Sequence, residues 1–194
     1  MDHEVGAASQ GHDASAPGEA RRRFGRRRLV AAASGGVLAV AGAVAWWRTS
    51  GYAVPLAVER RLVALAPWEY AVVEQAARRL CAADGPAPSP DEVGTAAFVD
   101  RYVAQMHPTL RRDLRRLFAY LEHLAPLRAG LPRRFTSLDA AAQDRVLARM
   151  EAADEGLLRG GFAGLKSLVF MGYYGDPRTW AILGYDGPAL ERTP

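Results

Sequence analysis

The chain has 194 residues, 25 basic and 21 acidic, with a formal net charge of +4 and a hydrophobic fraction of 49%. The charge is unevenly placed: residues 1–28 hold six Arg against four acids, and the remainder is close to balance, which argues against a nucleic-acid-binding surface on the globular part. One cysteine, Cys81, excludes an intramolecular disulfide and a four-cysteine zinc or iron–sulfur site.

Residues 1–20 are polar, small and turn-rich, and are expected to be disordered. Residues 21–47 read as an export signal. Arg26 and Arg27, with Arg28, stand immediately before Leu29 and Val30, the pattern of a twin-arginine signal. No charged residue then occurs up to Trp47, and the run is Ala- and Gly-rich with small residues near 41–45, as a signal-peptide core and cleavage region require. At 1.5 Å rise per residue the same run would span about 28 Å, so it also suits an uncleaved membrane anchor. Either way the sequence places the folded part outside the cytoplasmic membrane, in the periplasm. Twin-arginine export carries folded cargo through its translocase.

A linker at 48–59 leads into residues 60–194, where helical periodicity prevails and no strand alternation stands out. Pro67 at a first helical turn opens a helix to about Cys81, and three prolines break the chain at 84–90. Cys81 falls on this helix's apolar stripe, which reads as a small buried hydrophobe. Residues 95–106 form the next helix, with Phe98, Tyr102 and Met106 at i+4 spacing. In the helix at 109–125, Leu114, Leu117, Phe118, Leu121, Leu124 and Ala125 make the apolar stripe, and Arg111, Arg112, Arg115, Arg116 and Glu122 fall off it. That Arg run reads as a solvated face or as a docking patch for an acidic partner. Thr136-Ser137-Leu138-Asp139 resembles a capping box opening a helix to about Met150. A last helix at 155–172 carries Leu158, Phe162, Leu165 and Val169 on one side, with Gly160, Gly161 and Gly164 permitting close backbone approach. The predicted fold is all-α, a small irregular bundle of about five helices.

Chemistry is hard to find. His107 and His123 lack ligand spacing, no nucleotide-binding glycine motif follows a strand, and no nucleophile elbow occurs. The sequence therefore predicts no catalytic residue, no metal ligand and no cofactor bound by this chain. The densest cluster of large polar side chains lies at the C-terminus instead. Tyr173, Tyr174, Asp176, Arg178, Trp180 and Tyr185, interleaved with turn formers, have the composition of an interface anchor. The same rings could also fold back to cap the bundle.

Four short stretches follow one another along the chain: Leu65-Ala66-Pro67-Trp68-Glu69, Gly94 through Tyr102, Arg134-Phe135-Thr136-Ser137-Leu138 with Gln143, and Tyr173-Tyr174-Gly175-Asp176-Pro177 on to Trp180 and Tyr185-Asp186-Gly187-Pro188. In this order they resemble the gluconate 2-dehydrogenase small-subunit (subunit 3) family. Ahead of the Pro-rich loop the family's Ile-Ile-Pro is replaced by Leu80-Cys81-Ala82-Ala83. The resemblance implies a large flavoprotein partner of the glucose–methanol–choline type that carries FAD, often with a cytochrome c subunit. It implies that the small subunit supplies the export address for both chains. A stand-alone, membrane-anchored helical protein of the envelope is the alternative the residues leave open.

Overall fold

The computed structural model describes residues 51–81 and 87–187, and all of them belong to the compact unit that begins at Gly51. Among these described residues eight α-helices follow one another: α1 (Leu56–Glu59), α2 (Pro67–Leu80), α3 (Pro90–Val93), α4 (Thr95–Ala104), α5 (Pro108–Ala119), α6 (Ala125–Arg128), α7 (Ala140–Glu151) and α8 (Gly156–Tyr174). Short 3-10 turns at Phe135–Ser137 and Pro177–Leu183 complete the elements, and no strand occurs among the described residues. The all-α bundle is as the periodicity predicts.

α2 is the centre of the bundle, touching α3, α4, α5, α7 and α8. Its Val72, Val73, Ala76 and Ala77 are buried, and small side chains on this stripe let the surrounding helices close in. Cys81 ends the helix inside the core, where burial pushes its thiol up to about 12. Pro67 starts α2 in the position where no N–H is needed, and Glu69 reaches back to accept the Ala66 N–H at 2.7 Å. α3 has a full capping box between Ser89 and Glu92. Gly94, at φ +76°, ends α3 and begins α4, a left-handed position that a side chain would strain.

On α4 the buried stripe is Ala96, Val99, Asp100 and Val103, and the Phe98–Tyr102 pair expected from the i+4 spacing stacks at 5.9 Å, with Phe98 half-buried against α8. Two local readings of the sequence are corrected. The capping Asp139, whose carboxylate accepts the Ala142 N–H at 2.8 Å, opens α7, and Thr136 belongs to the preceding 3-10 turn. The second correction concerns register. Between α5 and α6 the chain forms a π turn over Tyr120–Leu124, in which the Ala125 N–H donates to the Tyr120 carbonyl five residues back. Pro126 supplies no N–H and its ring crowds the carbonyl four residues before it, so widening the turn relieves the clash. Glu122, off the predicted stripe but four residues after the buried Phe118, is 0% exposed, and Leu124, on the predicted stripe, is 48% exposed.

α8 packs through Phe162, Leu165, Leu168 and Val169. Its glycines divide into two groups. A Cβ on Gly161 would lie 3.0 Å from the Leu117 side chain, and one on Gly172 would lie 2.9 Å from Phe98 and 3.2 Å from the Thr95 carbonyl. Gly172, which the periodicity did not single out, is therefore where α4 and α8 approach most closely. Gly160 and Gly164 face outward with nothing within 4 Å.

Candidate functional site

The C-terminal cluster is built on the end of α8. The last carbonyls of a helix lack intrahelical donors, and here side chains of the following turn supply them. Thr179 Oγ1 donates to the Tyr173 carbonyl at 3.2 Å and Trp180 Nε1 donates to the Tyr174 carbonyl at 2.9 Å. Asp176 caps the 3-10 turn by accepting the Arg178 N–H, and the Arg178 guanidinium returns to both oxygens of the same carboxylate at 2.9 and 2.7 Å. That donor set pulls the Asp176 carboxyl down to about 2. Arg178 Nη2 also donates to the Glu92 carbonyl at 3.1 Å, and the Tyr173 hydroxyl donates to the Pro88 carbonyl at 2.9 Å. The first bond ties the C-terminal turn, and the second the end of α8, to the segment around α3.

The six residues singled out from the sequence thus lie together, in different roles. Tyr173 is 1% exposed and belongs to the core. Tyr174 and Trp180 are half-buried, with Tyr174 edge-on to Phe170 and Tyr173. Tyr185 packs edge-on against Trp180 at 5.2 Å yet is 47% exposed, beside the exposed Ile182 and Leu183. Asp176 and Arg178 hold the turn in place. The rings therefore divide: Tyr173 and Trp180 close the bundle, and Tyr185 with its aliphatic neighbours presents an apolar surface.

Three buried carboxylates went unnoticed in the sequence. Asp100 accepts the backbone N–H groups of Val63, Ala64 and Leu65 at 2.8–2.9 Å. Glu122 accepts the Tyr52 hydroxyl at 2.9 Å and both the hydroxyl and the N–H of Thr136, at 2.7 and 3.1 Å. Glu69 holds the Ala66 N–H and faces Arg115 at 3.5 Å. Burial raises the carboxyls of Glu69 and Glu122 above the usual carboxylate range, against the lowering effect of these donors. Together they fasten residues 51–66 across the bundle, with the Arg134 guanidinium 4.6 Å above the Tyr52 ring. Asp100 was legible in principle, since it continues the Ala96–Val99–Val103 stripe. Glu122 lies within the π turn, four residues after the buried Phe118.

Among the described residues no group of three His, Cys, Asp or Glu side chains is placed to hold a metal ion, and no helix is long and apolar enough to cross a membrane. The signal residues Arg26, Arg27, Leu29 and Val30, the apolar run to residue 47 and part of the Pro-rich loop lie outside the described residues. What the described surface offers is shape and exposed apolar side chains.

A family model described as Gluconate 2-dehydrogenase subunit 3 matches residues 67–187, from the start of α2 to the end of the C-terminal turn. No curated protein and no solved structure matches the chain.

Proposed function

This chain belongs to the gluconate 2-dehydrogenase subunit 3 family, and from that premise we propose that it is the non-catalytic small subunit of a periplasmic, FAD-dependent sugar or alcohol dehydrogenase. The match over 67–187 is the observation that carries this reading, because it spans the bundle and the C-terminal turn in one stretch. In this role the chain stabilises a large flavoprotein of the glucose–methanol–choline type, which holds FAD and the reacting groups. A cytochrome c subunit completes the electron path in assemblies that have one. The twin-arginine signal at 21–47 addresses both chains, so the folded flavoprotein leaves the cytoplasm attached to its small subunit. The buried carboxylates fit a structural role, since each is engaged by backbone amides or by Tyr and Thr hydroxyls.

The test is deletion of residues 21–47 in cells expressing both chains. The flavoprotein and the truncated subunit should both stay in the cytoplasmic fraction. Appearance of the flavoprotein in the periplasm would remove the escort role. The paired substitution Arg26→Lys and Arg27→Lys should give the same retention, because recognition of the arginine pair tolerates lysine poorly.

A further inference from the structure

Residues 51–66 run antiparallel to α5 and its π turn, since Tyr52 meets Glu122 and the Arg115 Nη2 donates to the Ala64 carbonyl at 3.1 Å. Where the two segments cross, charge is sorted by depth. The carboxylates turn inward: Asp100 accepts the amides of Val63, Ala64 and Leu65, and Glu69, 2% exposed, faces the Arg115 guanidinium at 3.5 Å. The arginines lie around that contact. Arg61 stands three residues before Ala64, within about 10 Å along the chain, with Arg60 beside it, and both are exposed. Arg111 and Arg112 precede Arg115 by four and three positions, which sets them on its side of the helix.

The composition conceals this sorting. Beyond residue 28 the chain is close to charge balance, but Glu69, Asp100 and Glu122 are withdrawn from the surface. Over 56–66 and 108–119 six arginines stand against two carboxylates, Glu59 and Asp113, and Asp113 is held by Arg116 at 3.1 Å. Among the described residues Arg60, Arg61, Arg111 and Arg112 form no ion pair. Arg111 with Arg115, and Arg112 with Arg116, are like-charge pairs one helical turn apart, which repel. Between Arg61 and Ala64, Val63 is 69% exposed, on backbone fixed by the bond from its N–H to Asp100 at 2.8 Å.

We propose that this crossing is where the small subunit meets an acidic surface of its flavoprotein, with Asp or Glu side chains opposite Arg60, Arg61, Arg111 and Arg112 and a small apolar contact on Val63. The inference rests on the functional reading above. Carboxylates from outside the chain supply the partners that the inward-turned acids do not, and the planar guanidinium fork accepts both oxygens of one carboxylate. An apolar residue held still and bordered by arginines is what a folded partner packs against, because little order is left to impose on binding. A fluid lipid surface gains nothing from that fixed backbone. A second copy of this chain is disfavoured, since a two-fold contact would set the same arginines against each other.

The test uses the full chain co-expressed with its flavoprotein. Arg111→Glu with Arg112→Glu breaks no ion pair among the described residues and relieves repulsion along α5, so the variant subunit should melt no lower than wild type. Its affinity for the flavoprotein should fall at least about tenfold at low salt, mainly through slower association, and should depend less on salt. Arg60→Glu with Arg61→Glu should behave alike. Arg145→Glu, a charge reversal at an exposed position of α7, should leave the affinity unchanged. A photoreactive benzoylphenylalanine in place of Val63 should crosslink to a flavoprotein segment bearing Asp or Glu. Undiminished affinity of either double variant would overturn the proposal, as would a comparable loss in Arg145→Glu, or crosslinking from position 63 to a second copy or to lipid. If the wild-type subunit itself fails to hold the flavoprotein, the accessory-subunit reading falls, and this surface loses its partner with it.

Discussion

Residues 51–66 and residues 175–187 both run as largely irregular segments against the bundle, but different chemistry holds each. The N-terminal strap contributes mainly backbone N–H groups, and the bundle receives them on carboxylates far away in sequence, Asp100 above all. The C-terminal turn is held mostly by its own side chains acting on carbonyls at the end of α8, with one bond, from Arg178, to the α3 region. A strap fixed through its backbone leaves little freedom and depends on charges buried elsewhere. A turn fixed by local caps can keep Ile182, Leu183 and Tyr185 exposed while remaining in place. The first arrangement serves the fold; the second leaves a surface for something else.

That contrast is most severely tested inside the C-terminal cluster. Tyr173→Ala removes a core ring together with its bond to the Pro88 carbonyl, and should cost about 3–5 kcal/mol of folding stability. At about 2–4 °C per kcal/mol for a protein of this size, the thermal midpoint should fall by on the order of 10 °C or more. A small change would mean that the end of α8 is not integral to the core.

Asp100→Ala should follow closely. It leaves three backbone donors without their acceptor, and an orphaned buried donor costs about 1–3 kcal/mol. Because two of the three lie in partly buried surroundings, a loss of about 3 kcal/mol is expected, read in a denaturant melt. Asp100→Asn should recover part of it, since its one carbonyl oxygen still accepts. Protease sensitivity should rise within 51–66 before it rises elsewhere, which separates release of the strap from general unfolding.

Tyr185→Ala should show the opposite balance. With the ring half exposed, stability should change by about 1 kcal/mol or less, as for substitutions away from the core. Affinity for the flavoprotein should drop about tenfold or more if this surface is an anchor, a loss of about 1.4 kcal/mol. Unchanged affinity, measured on the folded variant, would place the interface elsewhere on the subunit.

The smallest effect concerns pH. Glu122 has a folded-state carboxyl raised above its ordinary 4.5 by burial. The folded chain then holds more protons than the unfolded chain between 4.5 and the raised value. This contribution to stability is full below 4.5 and is lost as pH rises through the raised value. Glu69 acts in the same sense. Asp176 acts in the other: lowered from 3.8 to about 2, it contributes fully above 3.8 and loses its contribution as pH falls toward 2. The thermal midpoint should therefore rise modestly from pH 7 toward pH 5, and Glu122→Gln should flatten that slope. An unaltered slope in the variant would assign it to other carboxylates.

Much of this molecule was determined along the chain itself. Proline at the start of α2, the capping pairs, the three prolines after Cys81 and the 3.6-residue stripes specify an all-helical bundle by local geometry alone. The order of the short motifs carries the family, and turn formers bring the C-terminal residues together in space because they are neighbours in sequence. Tertiary structure decided the rest. Glu122 is buried where Tyr52 and Thr136 arrive from other segments to meet its carboxylate. Asp100 finds its three amides 35–37 residues back along the chain, a distance at which periodicity holds no information. Which glycines of α8 are packed and which lie open depends on where Leu117 and Phe98 arrive from other helices. Spacing along one helix states which residues share a face, and only the packing of the others states what that face meets.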